Sequence, residues 1–254
     1  MKSVVLAAGV ASRLRPLTDG VPKCLLPVGG RPILARALAH QAALGIDEAI
    51  VITGWLGEQV RAAVASWHLP IAVRFVDNPE YARSNNEYSL WLAAAHVAGH
   101  ELVLHDGDIV FDAAVLAAVL RAPHANALAL RRAPDLGAEE MKARLDDEAR
   151  VLAISKRIPP AQAAGEVPGV QRFCAATSAR LFATIEARVR GRGLRNEWYE
   201  AALDELIRSG EALYAVDVGE SYLAEIDTPA DLARVDAEVR AREIVDNHPH
   251  AIAR

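Results

Sequence analysis

Apolar residues in the first half of the chain fall in short runs at 4–6, 49–53, 72–76 and 102–105, separated by longer Ala/Leu-rich stretches at 33–44, 56–67 and 89–98. The short runs predict strands and the long ones helices, and their alternation implies right-handed βαβ units around a mostly parallel sheet. Ligands of such a sheet gather at the carboxyl ends of its strands.

The second half is patterned differently. Strand-like pieces at 127–132, 143–145 and 151–156 precede a Pro/Gly-containing loop, PPAQAAGEVPG, at 159–169, which predicts mixed or antiparallel strands. Helices are expected at 178–189 and 197–209 and a strand at 213–218. A last helix should open with Thr228 as its N-cap and Pro229 in the first helical position. With no internal repeat and no long linker, the fold class is α/β: a three-layer, Rossmann-like, mostly parallel sheet with a mixed or antiparallel C-terminal extension. One domain is expected over 1–240, in halves of about 1–120 and 121–240, with a polar tail at 241–254.

Composition narrows the class. The 254 residues are 52% hydrophobic and 24% charged, a balance for a globular chain with a sizeable core. The net charge is -5 and no Lys/Arg block occurs, so neither a nucleic-acid nor a membrane-surface partner is expected. No stretch reads as a leader or a membrane span, which predicts a cytoplasmic protein. Cys24 and Cys174 lack a CxxC spacing, and the eight His include no HExxH, so a disulfide scaffold or a structural metal site gains no support.

Chemistry begins where the first strand ends. Residues 6–27 read LAAGVASRLRPLTDGVPKCLLP, small residues followed by Arg13, Arg15 and Lys23. Small residues let backbone N–H groups approach a phosphate, and the three cations suit a triphosphate; equally, the cations alone describe a solvated loop. GxxxxGK[ST] is absent, and GVASRL lacks the later glycines of GxGxxG, which argues against a P-loop ATPase and a dinucleotide oxidoreductase. Farther on, LVLHDGDIVF places Asp106 and Asp108 just past an apolar run, where paired carboxylates hold Mg2+ or simply form an Asp-Gly-Asp turn. In NPEYARSNNEYSLWLA the Asn85-Asn86 pair reads as amides for a base edge or as a plain loop. In NEWYE, Trp198 and Tyr199 stand beside Glu197 and Glu200, either an ammonium-binding group or core aromatics at a helix start.

The string LAAGVASRLRPLTDGVPKCLLPVGGRPIL at 6–34 resembles the signature of the nucleotidyltransferases that activate sugars and related head groups, LAAGxGxRLxPLTxxxPKxLxPVxGxPIL. Ala11 replaces the usual Gly. The resemblance implies a nucleotide-diphospho-sugar transferase-like fold, with the first half holding the nucleotide and the second the acceptor. It places Leu6, Ala7, Ala8, Gly9 and Val10 around the nucleotide and Arg13 and Lys23 on its phosphates as the catalytic pair. Asp108 and Asp227, the latter in EIDTPADL, are implied as Mg2+ ligands, with Asp106 on the nucleotide side.

The stretch NPEYARSNNEYSL is similar to the branch that uses CTP to activate phosphocholine or aminoethylphosphonate, which implies Asn86 and Ser89 at the base. That branch also implies an acceptor site of Lys156, from ISKRIP, with Glu197, Trp198 and Tyr199. The expected partners are CTP and a small phosphorylated or phosphonate acceptor, with Mg2+ as cofactor and a homodimer admitted. A sugar-1-phosphate or inositol-phosphate nucleotidyltransferase stays open as the alternative.

Overall fold

The computed structural model describes residues 1–133 and 136–247. Strands β1 (Lys2–Ala7), β4 (Glu48–Thr53), β5 (Ala72–Asp77) and β6 (Leu102–Asp106) match the predicted runs, and a small hairpin, β2 (Pro27–Val28) and β3 (Arg31–Pro32), follows the first loop. The later strands are β7 (Ile109–Phe111), β8 (Ala127–Leu130), β9 (Lys142–Leu145), β10 (Val151–Ser155), β11 (Gly165–Glu166), β12 (Val170–Phe173), β13 (Tyr214–Asp217) and β14 (Leu223–Glu225). Helices are α1 (Ile33–Ala43), α2 (Gly57–Trp67), α3 (Asn86–Leu92), α4 (Ala94–Val97), α5 (Ala113–Arg121), α6 (Ala175–Glu186), α7 (Glu200–Arg208) and α8 (Pro229–Asn247).

Seven strands form the central sheet in the order β13-β8-β12-β6-β1-β4-β5. Among the described residues only β12 runs against the rest, pairing antiparallel with both β6 and β8. The alternation of side chains along β6 builds three layers. Leu102 and Leu104 pack with α3, α4, α6 and α7 on one face. Val103 points to the other, where α1 and α5 pack, and Val5, Ala49 and Val51 meet α1 and α2 there.

Two smaller sheets lie apart from the central one: the antiparallel β10-β9-β11, matching the expected extension, and the β14-β7 pair. The hydrophobic pattern assigns nothing to α5, β7 or β14. The two strands are three residues each, too short to show a period, and α5 (AAVLAAVLR) has no polar stripe. The last helix starts as expected: Asp231 N donates to Thr228 Oγ1 and Thr228 N donates to Asp231 Oδ2, a reciprocal cap ahead of which Asp227 is fixed. α8 extends to Asn247, into the stretch read as a tail, and 248–254 lie outside the described residues. No helix among the described residues is long and apolar enough to cross a membrane.

A buried ion pair ties the halves together. Arg188 Nε and Nη2 donate to the two carboxylate oxygens of Glu87 at 2.5 and 3.1 Å, and both side chains are buried. Removing one partner strands a buried charge. Glu87→Ala is therefore expected to cost about 3 kcal/mol in urea unfolding, the low end of such losses because Glu205 still meets Arg188 at 3.1 Å; a change under about 1 kcal/mol would show that the pair contributes little.

Candidate active site

The loop after β1 starts from the middle of the sheet, between β4 and β6. Leu14 is fully buried against Leu26, Val28 and Ile33 and pins the turn, which leaves Arg13 exposed. Ala11 sits at φ 50 and ψ 51, left-handed backbone in which a side chain costs about 1 kcal/mol. The resemblance expects Gly at this position for that reason, and Thr18 Oγ1 donating to Ala11 O at 2.9 Å helps hold the turn without it.

Across from this loop, the β7–β14 pairing (Glu225 opposite Ile109) brings two distant carboxylates together. Ile226 N donates to Asp108 O at 3.1 Å and completes the register. Lys23 Nζ stands between them, donating to Asp108 Oδ2 at 2.8 Å and Asp227 Oδ1 at 3.0 Å, and Arg13 reaches Asp227 Oδ1 at 2.8 Å. Burial alone would lower the Lys23 pKa, but the facing Asp108 and Asp227 overcome it and hold the ammonium above its ordinary value.

Glu225 joins the same group: one oxygen from each of Asp108, Glu225 and Asp227 lies within 4.8 Å of the others. Burial, then the charges of Asp108 and Asp227, push the Glu225 carboxyl up to about 8. Burial and the nearby Glu200, Asp108 and Glu225 hold the Asp106 carboxyl well above its usual range. Three converging carboxylates with one cation already drawn among them fit a hard divalent ion that takes oxygen ligands. Beneath Asp106 the backbone passes so close at Gly169 (φ +80) that a Cβ there would overlap Asp106 Oδ2.

The second-half wall hangs from the Asn-Asn-Glu stretch. Asn85 N donates to Arg195 O at 2.9 Å, Glu87 N to Glu197 O at 3.2 Å, and Tyr199 N to Asn86 Oδ1 at 3.0 Å, so three consecutive residues hold the loop at 195–199. Asn85 also caps α3, accepting from Asn86 N, which starts that helix three residues earlier than the pattern reading. Lys156 Nζ lies 4.8 Å from the centre of the Trp198 ring. Glu200 opens α7 buried at 5% exposure, and burial pushes its carboxyl up to about 7.

These walls enclose one cavity of about 1000 Å³. Of the predicted nucleotide-side residues it is lined by Leu6, Ala8, Gly9, Asn86, Ser89 and Asp106, while Ala7 and Val10 are not on its wall. Arg13, Asp108 and Asp227 line it, with Lys23 behind the two carboxylates. On the far side Lys156 and Trp198 line it, and Glu197 faces a neighbouring cavity.

Tyr199 corrects the sequence reading. It is fully buried, its hydroxyl meets Asp106 Oδ2 and Gln171 Oε1, both at 3.3 Å, and it props the wall from behind. Glu225 takes a wall position that the sequence analysis did not name, and Glu200, noted there only as part of the NEWYE group, takes another. Glu225 was detectable two residues before Asp227, on the same side of an extended segment.

Comparison with known proteins places the chain. The family model for MobA-like NTP transferase domains matches residues 3–251. A CMP-5'-(3-aminopropyl)phosphonate synthase of Streptomyces rubellomurinus is 32% identical over 251 residues, 93% of this chain and 38% of that protein. A choline-phosphate cytidylyltransferase of Streptococcus pneumoniae is 36% identical over 103 residues, 41% of this chain and 43% of that protein. The matches thus span less than half the length of these curated relatives. A solved CTP:phosphocholine cytidylyltransferase from Streptococcus pneumoniae superposes with a TM-score of 0.75 over 94% of this chain and 98% of that one, at 23% identity, a likeness of fold. With the family model running almost end to end over the predicted three-layer sheet, the chain belongs to the family of MobA-like NTP transferase domains.

Proposed function

We propose that this protein is a cytidylyltransferase that joins CTP to a small phosphorylated or phosphonate acceptor bearing a cationic group, giving a CDP- or CMP-linked product and pyrophosphate. One observation carries the reading: a single cavity brings the β1 loop with Arg13 and the acid cluster to face Lys156, Trp198 and Glu200. The names of the relatives, an aminopropylphosphonate CMP synthase and a choline-phosphate cytidylyltransferase, support CTP and a cationic acceptor.

In this reading an acceptor oxygen attacks the α-phosphorus of CTP in line. A new P–O bond forms and the bond from the α-phosphorus to the bridging oxygen breaks, so that pyrophosphate leaves with that oxygen. The attacking phosphate or phosphonate is ionised near neutral pH, and no residue is needed as a base. The backbone at Leu6, Ala8 and Gly9 receives the nucleotide, Arg13 and Lys23 neutralise its phosphates, and Asn86 and Ser89 lie on the base side. Lys156 orients the acceptor's anionic end, and Glu200 faces its cation. Asp108, Asp227 and Glu225 would hold Mg2+. The ion, when bound, stabilises negative charge on phosphate oxygens.

Pyrophosphate release with Mg2+ tests the reading, crossing the four nucleoside triphosphates with aminoethylphosphonate, phosphocholine, inositol 1-phosphate and glucose 1-phosphate. Release confined to CTP with a cationic acceptor is expected; release with a sugar or inositol phosphate alone would transfer the reading to the alternative class. Lys23→Ala should lower turnover about 100-fold or more while the circular-dichroism spectrum stays that of the folded enzyme. Undiminished turnover would remove Lys23 from the chemistry.

A further inference from the structure

Among the described residues, two buried carboxylate oxygens of residues on the cavity wall have no donor. Glu200 Oε2 is buried without a hydrogen-bond partner, and so is Glu140 Oε2 on the same wall. Leaving such an acceptor unpaired costs a folded protein free energy, so each one requires a reason. Neither is a loosely placed side chain: Glu200 is in the first turn of α7, and the Glu140 main chain is fixed by Lys142 Nζ, which donates to Gly137 O and Glu140 O at 2.9 Å each. Lys156, whose charge acts on Glu200, lies over the Trp198 ring.

The aromatic faces tell the opposite story. A quaternary ammonium has no N–H and is recognised by open aromatic rings. Tyr199 is buried behind the wall, and Trp198 already carries Lys156. The other rings on the wall are engaged as well: Tyr222 lies under the Arg242 guanidinium at 4.8 Å, and Tyr81 packs against Trp55. Among the described residues the wall offers unpaired carboxylate oxygens, while each of its rings, Trp198, Tyr222 and Tyr81, is engaged with a separate partner.

We infer that the acceptor's cationic group is a primary ammonium, held through N–H donation to Glu200 and Glu140, and that a quaternary ammonium is rejected. This rests on the cytidylyl-transfer reading and adds to it the class of acceptor. An –NH3+ brings three donors and forms charge-assisted bonds with both oxygens, whereas a trimethylammonium would bury them unpaired. A site built to pair with an N–H discriminates strongly against the analogue that lacks it.

Phosphoethanolamine and phosphocholine make the matched test, because they differ only by three N-methyl groups. With CTP and Mg2+, kcat/KM is expected to favour phosphoethanolamine by about 100-fold or more. In Glu200→Gln that ratio should shrink at least about tenfold, through loss on the primary ammonium. Glu140→Gln, on a surface loop and without risk to the helix packing around Glu200, should shrink it in the same direction. Parity or a preference for phosphocholine in the wild type overturns the inference while leaving cytidylyl transfer standing. A preference that neither variant moves overturns the assignment to these carboxylates. Turnover of neither acceptor, with pyrophosphate released from a sugar phosphate, removes the functional reading and this inference with it.

Discussion

The site depends on one short antiparallel contact, the pairing of β7 with β14. Three residues on each side bring Asp108, just past the central strand β6, to Asp227, just ahead of the terminal helix, and Lys23 bonds the latter across 204 residues of sequence. Neither strand has an independent reason to form. Each is held by its neighbours, β7 by the short turn from β6 and β14 by the Thr228–Asp231 cap that follows it. The loop after β1, the acid cluster and the far wall therefore share one frame, and the cavity forms where the two ends of the chain meet.

Charge explains why that frame invites ligands. Acidic side chains outnumber basic ones on the wall of this one chamber, Asp106, Asp108, Glu200, Glu225 and Asp227 among them. The raised carboxyls of Asp106, Glu200 and Glu225 are the mark of that excess, driven first by burial and then by their neighbours. Such a chamber is most favourable with cations in it. The proposed divalent ion at Asp108, Glu225 and Asp227 and the proposed ammonium near Glu200 would be two answers to the same field.

Much of this was legible in the chain itself. Parallel strands and their helices announce themselves by period, and the three-layer sheet follows from them; Arg13 and Lys23 come from one contiguous string at 6–27, and the fold stands them beside Asp108 and Asp227, which come from two other segments. Residues whose role depends on long-range packing were harder to read. Tyr199 and Trp198 are neighbours with the same apparent chemistry, yet one is fully buried and the other 45% exposed, a distinction set by how α7 docks and not by sequence. Asn86 lines the cavity, and its side-chain oxygen also accepts from Tyr199 N, a structural tie to the loop at 195–199 that its sequence neighbours do not reveal. Glu225 and β14 went unassigned because three extended residues have no period to detect.

In the proposed reading the two ends of the chain build one cation site from Asp108, Glu225 and Asp227. Titration of Mn2+ into the protein with CTP present, followed by electron paramagnetic resonance, tests it most directly, with wild type compared with Asp227→Asn. The account predicts saturable Mn2+ binding that weakens about tenfold or more in the variant. Equal affinity in the two proteins would contradict it.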